Sequence, residues 1–406
     1  MRDFFDENLL LSGKTAEVIY NEIKSLPIID YHCHLDEKAI ANNVGFENIG
    51  QLWLSGDHYK WRAMRMCGVD ESYITGNRAF KEKFVKYAEI MPKLCGNPLY
   101  YWTHMELAQI FDIHIPLNAD TAEEIWNKTS EIIPSISTQS LLRKFKVEYV
   151  ATTDDPMSQL TFHGKIGQTQ VSPTFRPDAC FAAGADKNVL EERLQFFVKK
   201  GCKIADHGFD GFGDTSDLEW LIEMCGKYNL ALQLHFGTFR NVNTTEFLTA
   251  GRDSGFDIMR SEIDTDRLVA VLDKVNAKLG QLPTIILYPL NDNYTKACAT
   301  LSGAFRNVIV GAAWWFNDTI GGIRRQLQTV SEYSVLGTQL GMLTDSRSFS
   351  SYVRFDFYRR ILASFIADKV DNGEYPLDQA IRIAKDISYN NVNILLASKG
   401  CVVDKK

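Results

Sequence analysis

Two histidines one residue apart, His32 and His34, end a short apolar run, Pro27-Ile28-Ile29-Asp30-Tyr31, that reads as a β-strand. Residues two apart in a strand face the same side, so both imidazoles project together while Cys33 projects the opposite way. Such a pair suits a divalent ion such as zinc, which takes imidazole nitrogen at roughly 2.0–2.1 Å and generally needs three or four protein ligands. Taken alone, H-x-H is a weak pattern. Two further candidates end strand-like runs downstream, His235 in 231–237 and Asp345 in 340–347. His32, His34, His235 and Asp345 together make a His₃Asp set with room for water or substrate, as an open catalytic ion site needs. Taken singly, His235 reads equally as a satisfied interior histidine, and Asp345 as a helix cap acting through Ser346.

Charge argues for the substrate class independently. Arg176, Arg240 and Arg347 fall at or just beyond the ends of the runs 171–178, 231–237 and 340–347. Any one of them could be a salt-bridge partner, but their planar, permanently charged forks grip carboxylates bidentately, and three at one end point to a small anion. Trp314 and Trp315 lie near enough to suit a sugar acid, although at least one of the pair reads as core packing. The stretch His58-Tyr59-Lys60-Trp61-Arg62 concentrates proton-transfer and cationic groups at a helix start, with a solvated basic face as the bland reading. His104, His114, His163 and His207 read as structural.

These side chains need a scaffold that brings strand ends to one place. Eight β-branched and aromatic runs recur along the 406 residues, at 27–34, 149–155, 171–178, 202–209, 231–237, 284–291, 308–316 and 340–347, with helical patterns such as 189–197 and 265–279 between them. That alternation predicts an α/β fold, a (β/α)₈ TIM barrel, whose sites gather at the C-terminal ends of the strands. No G-x-G-x-x-G or P-loop follows any run. Residues 35–148 are too many for one crossover helix and predict an inserted, mainly helical subdomain that contributes to the active site, leaving 1–34 and 149–406 as a metal-binding barrel.

Composition is ordinary for a globular protein, 45% apolar and 23% charged. With 44 Lys and Arg against 51 acids the formal charge is −7, which argues against nucleic acid as a partner. Eight cysteines without C-x-x-C pairs read as reduced thiols of a cytoplasmic protein, and no stretch approaches the ~18 apolar residues of a membrane span.

Ordered segments along nearly the whole sequence resemble the uronate isomerases, a nonhydrolytic branch of the amidohydrolase superfamily. They include Asp30-Tyr31-His32-Cys33-His34, Gly56-Asp57-His58-Tyr59-Lys60-Trp61-Arg62, Trp102-Thr103-His104, Thr152-Thr153-Asp154-Asp155-Pro156 and Phe175-Arg176-Pro177-Asp178. The match continues through Ala205-Asp206-His207-Gly208, His235-Phe236-Gly237 with Arg240-Asn241, Ala313-Trp314-Trp315-Phe316 and Gly341-Met342-Leu343-Thr344-Asp345-Ser346-Arg347.

The resemblance implies one divalent ion, usually zinc, at His32, His34, His235 and Asp345. A second ion is disfavoured, because Asp206-His207 stands where two-metal relatives carry a bridging Lys or Glu, and the sixth run has no histidine. It also implies that His58 lies in the active site with Tyr59 beside it, and that Asp206 binds substrate alongside the Arg176, Arg240 and Trp314 that charge and position already suggest, a helix cap being the rival role for Asp206. The implied reaction is aldose–ketose isomerisation of D-glucuronate to D-fructuronate, and of D-galacturonate to D-tagaturonate, through a cis-enediol in hexuronate catabolism. Either Asp345 or a Tyr59 phenolate favoured by Arg347 would remove the C2 proton, with His58 moving protons between oxygens. The rivals are a metal-dependent hydrolase of a sugar lactone or amide on the same scaffold, and a sugar-acid binding protein without catalysis. The expected partner is a small-molecule hexuronate, with no nucleic acid or membrane, and a homo-oligomer is compatible with everything above.

Overall fold

Runs of buried β-branched and aliphatic residues form the strands of the computed structural model, which describes residues 4–400. β1 (Ile28–Asp30), β2 (Val147–Ala151), β3 (Gly164–Ile166) and β4 (Thr169–Ser172) make one sheet in the order β1-β2-β4-β3, parallel except for β3 at its edge. β5 (Thr174–Phe175), β6 (Ile204–Phe209) and β7 (Ala231–Phe236) belong to a second sheet. β8 (Thr238–Phe239) and β9 (Ile258–Met259) pair only with each other, antiparallel. β10 (Ile285–Pro289) and β11 (Val308–Val310) complete the second sheet, parallel throughout in the order β11-β10-β7-β6-β5. Every residue of β7 and β10 is buried, the signature of parallel strands covered on both faces. Helices Lys187–Lys199, Ser216–Lys227, Thr265–Leu279, Thr295–Ala304 and Ile320–Tyr333 alternate with these strands as the sequence predicts.

Closure differs from the expectation. Among the described residues the ladders form separate sheets and do not close into a barrel. The eighth run, 340–347, forms no strand, because Gly341 (φ +72) and Asp345 (φ +48) are left-handed and break the extended backbone a ladder requires. It still hydrogen-bonds to the backbone leaving β1, with Asp345 N donating to His32 O and His34 N to Ser346 O, both at 3.0 Å. The first run also stops short as a strand, at Asp30, although Cys33 N donates to Ala151 O beyond it.

Between β1 and β2 the named elements are all helices, from Glu37–Ala41 to Thr138–Lys144. Their apolar faces share one core with helices Lys14–Ile23 and Val353–Asp371, while a second core fills the space around β6, β7 and β10. The described cysteines are free thiols, and no helix among the described residues is long and apolar enough to cross a membrane.

His104, on helix Pro98–Phe111, bonds to Tyr100 O through Nδ1 and accepts from Leu117 N through Nε2. Burial pushes its pKa down to about 4. The unfolded protein binds this proton near the ordinary 6.5, so the group leaves stability untouched above that pH and removes it as pH falls towards 4. We expect His104→Gln to recover part of the roughly 3 kcal/mol lost across that window. Urea unfolding of both proteins at pH 7 and pH 4.5 measures it; identical pH dependence of the two would contradict the assignment.

Candidate active site

His32 and His34 leave the end of β1 on the same side, their ring centroids 5.4 Å apart, while Cys33 is packed into the apolar core. Both Nε2 atoms converge on one oxygen, Asp345 Oδ1, at 3.4 Å from His32 and 3.3 Å from His34. These three residues form the group of donor atoms able to hold a metal ion. The left-handed backbone at Asp345 aims its carboxylate back at the histidines, so it does not cap a helix; the Ser346 amide bonds to Thr344 Oγ1 instead.

Two observations show that these residues fit an ion. His32 Nε2 is buried without a hydrogen-bond partner. Its Nδ1 lies 3.1 Å from Gln233 Oε1, and the Gln233 amide nitrogen donates to Tyr31 O and Tyr288 Oη, so the carbonyl end faces His32. The proton therefore sits on Nδ1 and the Nε2 lone pair is left for a ligand, the usual support of a metal-bound histidine. Gln233 was not singled out in the sequence, yet it precedes His235 by two in β7 and shares its face, the same alternation that revealed His32 and His34.

Charges within the group are balanced. Burial works against an ionised Asp345, but the imidazoles of His32 and His34 beside it hold its carboxyl well below the usual carboxylate range. His34 is pushed down to about 4, chiefly by burial, with Asp345 opposing. His32 is raised, because Asp206 and Asp345 outweigh its burial.

His235 stands next to this group but outside it. Its Nδ1 is 3.1 Å from Asp206 Oδ1, and its Nε2 is 3.2 Å from the Arg176 guanidinium. Gly208 faces His235 across the β6–β7 ladder, and a Cβ there would lie 2.2 Å from Nε2, so the ring requires glycine beside it. Asp206 does not reach the cleft: it is 0% exposed, and Arg176 Nη1 lies 3.2 Å from it. Burial opposes its charge, but His235, Arg176 and His32 hold it ionised, far below the usual range. It lies beside His235 and Arg176, behind the residues that line the cleft. Asp178, which ends the family-like segment Phe175-Arg176-Pro177-Asp178, accepts from Arg176 Nε at 2.8 Å.

Arg176, Arg240 and Arg347 do meet, lining one cleft with His34, His58 and Asp345. Trp314 forms a wall, its ring centroid 4.4 Å from that of His32 and 4.9 Å from that of His235. Trp315 lines the same cleft, held at φ +54. His58 and Tyr59 open helix His58–Met66, whose first amides are capped by Asp57, and their rings stack with centroids 4.6 Å apart. Burial lowers the pKa of His58, leaving a neutral imidazole.

Tyr59 departs from expectation. The guanidinium against its ring is that of Arg354, at 5.3 Å, whereas Arg347 pairs with Asp253 at 2.9 Å. Burial and the Asp345 carboxylate push the Tyr59 pKa well above 10, so it is a phenol, with its hydroxyl 3.4 Å from Asp345 Oδ2. The phenolate role expected for Tyr59 is therefore not supported. Nothing in the sequence marked Arg354 or Asp253 as neighbours of the site. His104, His163 and His207 have protein partners away from the ion group, and His114 is an exposed partner of Asp112.

A family model described as glucuronate isomerase matches residues 1–187 and 211–395. The chain is 38% identical to a uronate isomerase of Shouchella clausii, with 96% of this chain and 97% of that protein covered. It is also 38% identical to a uronate isomerase of Geobacillus thermodenitrificans, over 96% and 98%. Among solved structures, the crystal structure of a uronate isomerase from Thermotoga maritima superposes with a TM-score of 0.92 at 32% identity, covering 97% of this chain and 100% of that one.

Proposed function

The chain belongs to the glucuronate isomerase family and is an isomerase of uronates, and from that premise we propose how its own residues carry the reaction. The substrates we propose are D-glucuronate and D-galacturonate in their acyclic aldehyde forms, converted to D-fructuronate and D-tagaturonate. Arg176, Arg240 and Arg347 bind the carboxylate, and Trp314 packs against the carbon skeleton. Asp345, held ionised, removes the C2 proton through Oδ2, the oxygen that the two imidazoles leave free. A cis-enediol results, and the same carboxyl returns the proton at C1. Neutral His58 moves a proton between O1 and O2, and the Tyr59 hydroxyl orients Asp345.

One divalent ion, zinc ahead of manganese on the donor set, would be held by His32, His34 and Asp345, with His235 completing the His₃Asp set. When bound, it supplies electrostatic polarisation of substrate oxygens.

We also read the two parallel sheets as arcs of one (β/α)₈ barrel, with 35–148 as an inserted subdomain that delivers His58 and Tyr59. The isolated bridge Asp154–Phe175 between the sheets and the bonds from 345–346 to the end of β1 support that reading.

The observation that carries the proposal is the convergence of His32, His34 and Asp345 on one point of a cleft lined by three arginines. Purified protein should form ketose from glucuronate and galacturonate, lose that activity on chelation, and regain it with added zinc or manganese. Hydrolysis of a sugar lactone without ketose formation would support the hydrolase reading instead, which the isomerase relatives do not favour.

A further inference from the structure

Between β8 and β9 the backbone crosses the rim of the cleft as a strap, 251–257, fastened to helix His58–Met66. The carbonyl of Ser254 accepts from Arg65, and those of Gly255 and Asp257 accept from Arg62. The Arg65 guanidinium also lies 4.2 Å from the Phe256 ring centroid. Contact is tight: Gly255 is left-handed (φ +90), and a Cβ there would lie 3.0 Å from His58 O. Ser254, Phe256 and Asp257 are buried, with the Asp257 carboxylate accepting from Asn241 N.

Asp253 is an exposed residue of this strap. Its left-handed backbone (φ +57) turns the carboxylate outward, 56% exposed, to meet Arg347 at 2.9 Å. Charges along the cleft lining then cancel, Arg176, Arg240 and Arg347 against Asp253, Asp257 and Asp345. Asp257 is fixed by a backbone amide and Asp345 by two histidines. Asp253 is held by its pair with Arg347, which is exposed enough to exchange.

We propose that Asp253 is an internal competitor of the substrate: a carboxylate that occupies Arg347 until the carboxylate of the incoming sugar acid replaces it. This rests on the reading of the cleft as a hexuronate site. A ligand with a carboxylate exchanges one ion pair for an equivalent one, whereas a neutral sugar has nothing to offer Arg347 and leaves the pair closed across the rim. The competition also weakens ground-state binding, by roughly two- to fivefold for a pair this exposed.

The test uses full-length Asp253→Asn and Asp253→Glu proteins and two readouts. One is calorimetric binding of gluconate, an acyclic sugar acid with no aldehyde to isomerise, with glucitol as the neutral control. The other is KM for glucuronate. Asp253→Asn should bind gluconate about two- to fivefold more tightly and lower KM by a similar factor, glucitol binding should not change, and Asp253→Glu should return both values towards wild type. Unchanged or weaker gluconate binding in Asp253→Asn would overturn the proposal, weaker binding marking Asp253 as a direct contact to the sugar. A wild-type protein that forms no ketose would instead remove the isomerase reading, while the gluconate isotherms would still decide the role of Asp253.

Discussion

Asp345→Asn should lower kcat by about a thousandfold or more while the folded state survives. The carboxylate has two assigned roles: base towards C2 through Oδ2, and the oxygen on which His32 and His34 converge through Oδ1. An amide keeps the shape and loses both. Asn is also the conservative choice for the backbone, because position 345 sits at φ +48, a region that Asn enters as readily as Asp and most other residues resist. Steady-state kinetics beside a thermal melt separates the two effects. A correctly folded variant with near-wild-type turnover would show that the proton is removed elsewhere.

The second large effect falls on stability as well as binding. Arg176 is the cation between Asp178 and Asp206, and Asp206 has no solvent exposure. Removing one member of a buried ion pair leaves the other uncompensated, at about 3–5 kcal/mol. Arg176→Ala should therefore lower the urea midpoint by that equivalent. Arg176→Lys should retain most of the stability yet raise KM for uronate, since an ammonium keeps the charge but not the planar fork. Wild-type stability in Arg176→Ala would mean that Asp206 is neutral, and would undo the charge assignment behind the site.

Much of this site was legible in the sequence because strands impose a simple rule. Alternation along the run 27–34 placed His32 with His34, and along β7 could have placed Gln233 with His235. The three arginines were legible for a related reason, since each follows a strand or strand-like run whose end reaches the cleft. What sequence spacing could not give was the pairing of groups brought from remote elements. Arg354 reaches Tyr59 from a helix nearly three hundred positions away, and that single contact replaced the expected Tyr59–Arg347 pair. Burial, equally invisible in one dimension, encloses Asp206 beside His235 and Arg176. The eighth strand failed for a local reason: 340–347 has strand-like composition, but Gly341 and Asp345 adopt left-handed backbone, and at Asp345 that departure is what aims the carboxylate. Strained backbone at a working residue is a recurring way for local pattern and final structure to part.

Isomerisation in D₂O tests the central claim most directly, because proton transfer by Asp345 and hydride migration between carbons leave different products. With glucuronate and the metal-loaded protein, proton transfer predicts fructuronate carrying deuterium at C1, and loss of both ketose and label in Asp345→Asn. Fructuronate formed at the same rate with no carbon-bound deuterium would contradict solvent-exchangeable proton transfer at this carboxylate.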